Sequence, residues 1–108
     1  MNAHRLAEER SIAYHRAIGV RLRREPALLD QVRAHLEKKL TEGGRSARYY
    51  QQWRELLERP LDEILVSLVD ESEGARALRQ SSPFAGILPP DERWRIWREV
   101  KLRDEKAG

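Results

Sequence analysis

The sequence predicts an all-α fold, a compact bundle of about five or six helices, on three observations. Apolar residues recur at spacings of three and four, no run alternates apolar with polar residues long enough to make a strand, and proline or glycine stands where the apolar pattern breaks. A chain of 108 residues, 36% of them charged, has material for one domain, residues 1–108, whose helices carry broad wet faces. The ends, residues 1–10 and 104–108, are expected to fray.

A first helix should run to about Arg24, with Tyr14, Ile18 and Leu22 forming a stripe flanked by Ala17, and with Ser11 as an alternative cap. Pro26 ends it, because the residue before proline resists the helical region, and suits the first turn of the next helix. That second helix presents Leu28, Leu29, Val32, Leu36 and Leu40, and Gly43 and Gly44 close it. A third helix begins near Ser46 and turns Tyr49 or Tyr50, Trp53, Leu56 and Leu57 inward, until Pro60 breaks it.

Leu61, Ile64, Leu65, Leu68 and Val69 then give the strongest core signal of the chain, with Asp62 and Glu63 in the first turn, where carboxylates oppose the helix dipole. The stretch Asp70 to Gly74 interrupts the pattern, and Ser72 is placed to cap a short helix through Ala75 and Leu78. A last helix opens on Pro90, Asp91 and Glu92. Trp94, Trp97 and Val100 share one of its faces, and Asp91 with Arg95 and Glu99 with Arg103 form acid-first pairs at a spacing of four.

Between the last two helices lies the segment Ser82-Pro83-Phe84-Ala85-Gly86-Ile87-Leu88, which holds the only phenylalanine and fits no regular period. It reads as an irregular apolar Pro/Gly loop. Pro83 restricts it, Gly86 permits a tight turn and Pro89-Pro90 fixes its return, so Phe84 and Ile87 are expected to be presented to a partner at little ordering cost.

Composition narrows the function classes. The net charge of +3 comes from 21 basic and 18 acidic residues that interleave almost everywhere, which gives only weak support to a nucleic-acid binder. The absence of cysteine removes disulfides, thiolate nucleophiles and sulfur-ligated zinc, and makes the cytoplasm the expected compartment. No apolar run approaches the roughly 20 residues of a membrane span, and no signal-peptide core precedes Arg10.

No catalytic constellation, metal site or cofactor is expected. His4, His15 and His35 lack metal-ligand spacing and read as surface or capping residues. Asp30, Glu37, Glu42, Glu55, Glu58, Asp62 and Glu63 stand beside Arg or Lys as on a solvated helix face. Gly43-Gly44 lacks the strand and the Lys-Ser or Lys-Thr pair of a phosphate loop. Arg45 and Arg48 with Tyr49 and Tyr50 are the candidate nucleic-acid contacts, beside a turn with a superficial likeness to helix-turn-helix. Trp53, Trp94 and Trp97 read first as core. The alternation Trp94-Arg95-Ile96-Trp97-Arg98 also carries the two residue types most common in interface hot spots.

The run Leu61 to Leu88, with Leu68-Val69-Asp70-Glu71-Ser72-Glu73 leading into Ala77-Leu78-Arg79-Gln80-Ser81-Ser82-Pro83-Phe84, resembles small bacterial helical proteins encoded beside a toxin-like enzyme. The likeness extends to Trp94-Arg95-Ile96-Trp97-Arg98-Glu99 and to Ala13-Tyr14-His15-Arg16-Ala17-Ile18. It implies a non-enzymatic, antitoxin-like protein that binds and neutralises a cognate enzyme, with secondary contact to DNA. The expectation is therefore a protein-binding module using Phe84, Ile87, Trp94, Trp97 and Arg98. The alternative is a small DNA-binding transcriptional regulator, and a homodimer is compatible with the same surface.

Overall fold

The computed structural model describes residues 2–107, and all their regular structure is helical: α1 spans Ala3–Arg24, α2 Leu28–Glu42, α3 Ala47–Leu56, α4 Leu61–Leu68, α5 Glu73–Gln80 and α6 Pro90–Ala107. α1 packs against α6 and α4, α2 against α3, and α5 against both α3 and α4. This is the all-α bundle that the apolar spacing predicts.

Both terminal segments are helical over the described residues. Asn2 caps α1, its side-chain oxygen accepting the Arg5 N–H at 2.8 Å, so the helix begins eight residues before Ser11, and Leu6 already packs on the core. Ser11 is an interior helix residue, and α6 continues to Ala107.

The breaks fall where proline and glycine place them. Gly43 takes φ 71° after α2, a left-handed conformation that a side chain would resist. Arg33 of α2 spans to α3, its Nη2 donating to the Leu57 carbonyl at 3.1 Å beyond the α3 end. Ser72 caps α5 as expected, its hydroxyl accepting the Ala75 N–H at 3.2 Å.

The core gathers Ile18 and Leu22 from α1, Leu29, Val32 and Leu36 from α2, Trp53 from α3, and Ile64 and Leu68 from α4. The last two are fully buried, while Leu61, Leu65 and Val69 flank them half-buried. Gly19 lets α1 approach α4 closely, because a Cβ there would lie 3.3 Å from Leu65 Cδ2. Trp53 satisfies its indole N–H by donating to the Leu78 carbonyl at 2.8 Å.

Two expectations are corrected. The loop after α5 folds inward: Phe84 is 2% exposed and Ile87 6%, and both belong to the core with Leu88. The Ile87 N–H donates to the Phe84 carbonyl at 3.2 Å, and Gly86 at φ 90° lets the chain reverse so that both side chains enter. Burying these apolar groups stabilises the domain more than presenting them to water would.

The second correction concerns α6. Its buried face is Ile96 and Val100, one turn apart, and Trp94 is 56% exposed with Trp97 half-buried. Arg95 pairs with Glu92 at 3.9 Å and Glu99 at 4.0 Å rather than with Asp91. Glu92 also accepts from Arg21 Nε of α1 at 3.0 Å, which ties the start of α6 to the end of α1.

Candidate functional site

Two places on this scaffold concentrate chemistry: an exposed aromatic and cationic face of α6, and a polar cavity beneath the α5–α6 loop. The first forms because Trp94 and Trp97 lie three residues apart, so their rings meet on one helix face. They stack with centroids 5.0 Å apart and planes 9° from parallel. The Arg10 guanidinium of α1 lies 4.0 Å from the Trp97 ring centroid, Lys101 Nζ lies 5.4 Å from the same ring, and Arg98 lies 6.0 Å from the Trp94 ring. Each cation is held over the negative face of a ring, worth about 0.5–1 kcal/mol at an exposed position.

Of the residues expected to bind a partner, the structure therefore brings Trp94, Trp97 and Arg98 together at the surface and withdraws Phe84 and Ile87. Arg10 and Lys101, which sequence reasoning missed, complete the surface. Lys101 follows Trp97 by four, a spacing visible in the sequence; Arg10 belongs to a distant segment and gives no local signal.

The second place is a cavity of about 280 Å³ between α1, α5, the loop and α6, lined on its polar side by Ser11, His15, Arg79, Ser82 and Arg93. His15 is buried, contrary to the surface role expected of it, because it stands on the α1 stripe of Ile12, Ile18 and Leu22. Its Nδ1–H donates to the Ser11 carbonyl at 2.7 Å, since a carbonyl can only accept. That fixes the tautomer, and Nε2 accepts the Ser82 hydroxyl proton at 2.9 Å.

Burial pushes the His15 pKa below its usual 6.5; the bond to the Ser11 carbonyl opposes the shift and the nearby positive charge of Arg79 adds to it. The imidazole is accordingly neutral near pH 7. Its ring also meets Phe84 edge-on at 6.0 Å, so one residue fastens the loop to α1 by both a polar and an aromatic contact.

Arg79 is 5% exposed, an unusual burial for arginine. Its Nη1 donates to the Asp70 carbonyl at 2.6 Å and to the Leu68 carbonyl at 3.3 Å, closing the C-terminal end of α4, where a cation is favoured. Nη2 is buried with no hydrogen-bond partner. Burial lowers the pKa of this guanidinium, and the negative charge of Asp70 opposes the shift.

The candidate nucleic-acid contacts sit on the opposite helical hairpin. Arg45 and Arg48 are exposed, but the Arg48 Nη2 donates to the Tyr49 hydroxyl at 2.8 Å with its guanidinium 4.7 Å from the same ring. Tyr50 is half-buried and packs on the core. The structure thus pairs Arg48 with Tyr49, packs Tyr50 on the core and leaves Arg45 exposed.

Among the described residues, no group of three or more His, Asp or Glu side chains is arranged to hold a metal ion, and no helix is long and apolar enough to cross a membrane. Comparison of the chain with protein-family models, with curated proteins and with solved structures finds no match.

Proposed function

We propose that this chain is a non-enzymatic protein-binding module that docks through the Trp94–Trp97 face of α6, in the manner of an antitoxin that binds and neutralises a cognate enzyme. The observation that carries the reading is the stacked pair itself: a tryptophan 56% exposed on a half-buried one, with Arg10, Arg98 and Lys101 around them. Leaving an indole in water forgoes burial worth about 25 cal/mol per Å² of apolar surface. Stacking also fixes the two rings before any partner arrives, so little side-chain entropy remains to be lost on docking.

Tryptophan and arginine are the residues that most often carry interface energy. A cationic rim around an aromatic centre favours a partner with an acidic contact patch and suppresses basic ones. The choice of an enzyme as that partner rests on the resemblance of the Leu61 to Leu88 run and the Trp94 to Glu99 run to small proteins encoded beside toxin-like enzymes.

The test is purification of the full chain from its source under mild conditions, followed by identification of what stays bound and assay of that protein with and without the chain. A bound enzyme at equal stoichiometry, inhibited by the chain, supports the proposal. Retention of nucleic acid alone, lost when Arg45 and Arg48 are both replaced by alanine, would favour the DNA-binding alternative. Self-association alone would make the α6 face a homodimer contact.

A further inference from the structure

We infer that this chain associates head to tail with further copies of itself, the Trp94–Trp97 face of one copy seated in an acidic groove between α3, α4 and α5 of the next. The inference requires no enzyme partner and would stand without one.

Two exposed side chains carry it. Val66 of α4, 69% exposed, and Trp94 of α6, 56% exposed, are the most exposed large apolar side chains among the described residues, and they stand in surroundings of opposite charge. Val66 lines a groove of about 680 Å³, sharing its apolar wall with Leu56 and Leu78. Glu55, Asp62, Glu63 and Asp70 line the same groove against a single cation, Arg59. Asp62 pairs with Arg23 at 3.8 Å and Glu63 with Arg59 at 3.6 Å, in each case between side chains largely in water, and Glu55 makes no ion pair among the described residues. Ion pairs so exposed are weak, and the groove keeps a negative field.

Trp94 has the converse setting. Arg10, Arg98 and Lys101 surround its stack with Trp97, and none of the three makes an ion pair among the described residues. The face is thus an aromatic knob with a positive rim, and the groove is an apolar slot with a negative one.

A second copy is the occupant that both surfaces select. The carboxylates of the groove repel nucleic acid and anionic lipid and accept a cationic apolar segment, which the chain itself displays on α6. Two α6 faces cannot meet each other as well, because that would set three cations against three. The groove is lined by no residue of α6, so the two surfaces are distinct and the contact is heterologous, leaving each end of a dimer free to add another copy. Docking takes Val66 and Trp94 out of water together, and the stacked rings lose little freedom on doing so.

The experiment is sedimentation velocity on the purified full chain alone, over about a hundredfold range of concentration. Oligomers beyond the dimer should grow with concentration, and raising the salt from about 0.1 M to about 1 M should weaken association by about tenfold. Trp94→Ala and Val66→Arg, both at exposed positions that the fold tolerates, should each weaken association by about thirtyfold. An equimolar mixture of the two variants should form a dimer and nothing larger, because the groove of the first still receives the tryptophan face of the second. A native chain that stays monomeric throughout, association that Val66→Arg leaves intact, or a mixture as monomeric as its components would each overturn the inference. All three are read without a partner protein, so they leave the enzyme-docking proposal to its own test.

Discussion

The Phe84 ring meets Trp53 edge-to-face, with centroids 5.3 Å apart and planes at 82°, and this contact joins the α5–α6 loop to the centre of the core. Phe84→Ala should therefore destabilise the domain by about 3–5 kcal/mol, the range for removing a buried aromatic ring. Denaturant unfolding measures it; a loss below about 1 kcal/mol would mean that the ring is not the wedge this packing makes it.

A contrast within α4 tests the α1–α4 contact. Ile64 is fully buried and Leu65 only partly so. Ile64→Ala should cost about 2–5 kcal/mol, and Leu65→Ala should cost less, since part of its side chain already meets water. The reverse order in equilibrium unfolding would place the helix in a different rotation about its axis.

The His15 link to Ser82 makes stability depend on pH. The ring must be neutral for Nε2 to accept from Ser82, whereas the Nδ1–H bond to the Ser11 carbonyl survives protonation; burial dominates, and the folded pKa lies below the 6.5 of the unfolded chain. As pH falls, the unfolded state therefore takes up the proton first. The stabilising contribution is complete above 6.5 and is lost as pH falls from there through the lower folded value. Unfolding free energies at several pH values between about 7.5 and 5 should decline more steeply in the native chain than in His15→Gln, which has no proton to gain. Parallel curves would contradict a buried neutral imidazole.

Much of the fold is legible in the sequence because its boundaries are written in backbone chemistry. Pro60 and Pro90 stand at helix starts, Gly43 takes the left-handed turn after α2, and Ser72 caps α5, and each of these acts within a few residues of itself. The apolar face of α4 is likewise readable as Leu61, Ile64, Leu65, Leu68 and Val69, but their spacing does not say that Ile64 and Leu68 lie deepest while the other three remain half-buried.

The candidate sites are less legible, for physical reasons that differ by residue. The loop around Phe84 has no period and hence no face, so its sequence cannot say whether the ring turns in or out; packing against Trp53 and His15 decides it. In α6 both Trp94 with Trp97 and Ile96 with Val100 have helical spacing, and only the position of α1 selects the second pair for burial. Arg79 looks like one more charge on a wet face, and the carbonyls of Leu68 and Asp70 that draw it inward come from the preceding turn. His15 did carry a signal, since it continues the Ile12, Ile18, Leu22 stripe.

The most direct test of the protein-binding proposal is the affinity of the co-purifying partner for Trp94→Ala, Trp97→Ala and the double variant, with helix content followed in parallel. Trp94 is exposed, so its replacement should change stability by no more than about 1 kcal/mol while weakening partner binding by about 2 kcal/mol or more. Arg98→Glu should weaken it further by placing a negative charge where an acidic patch docks. Unchanged partner affinity in the folded double variant would contradict the proposal.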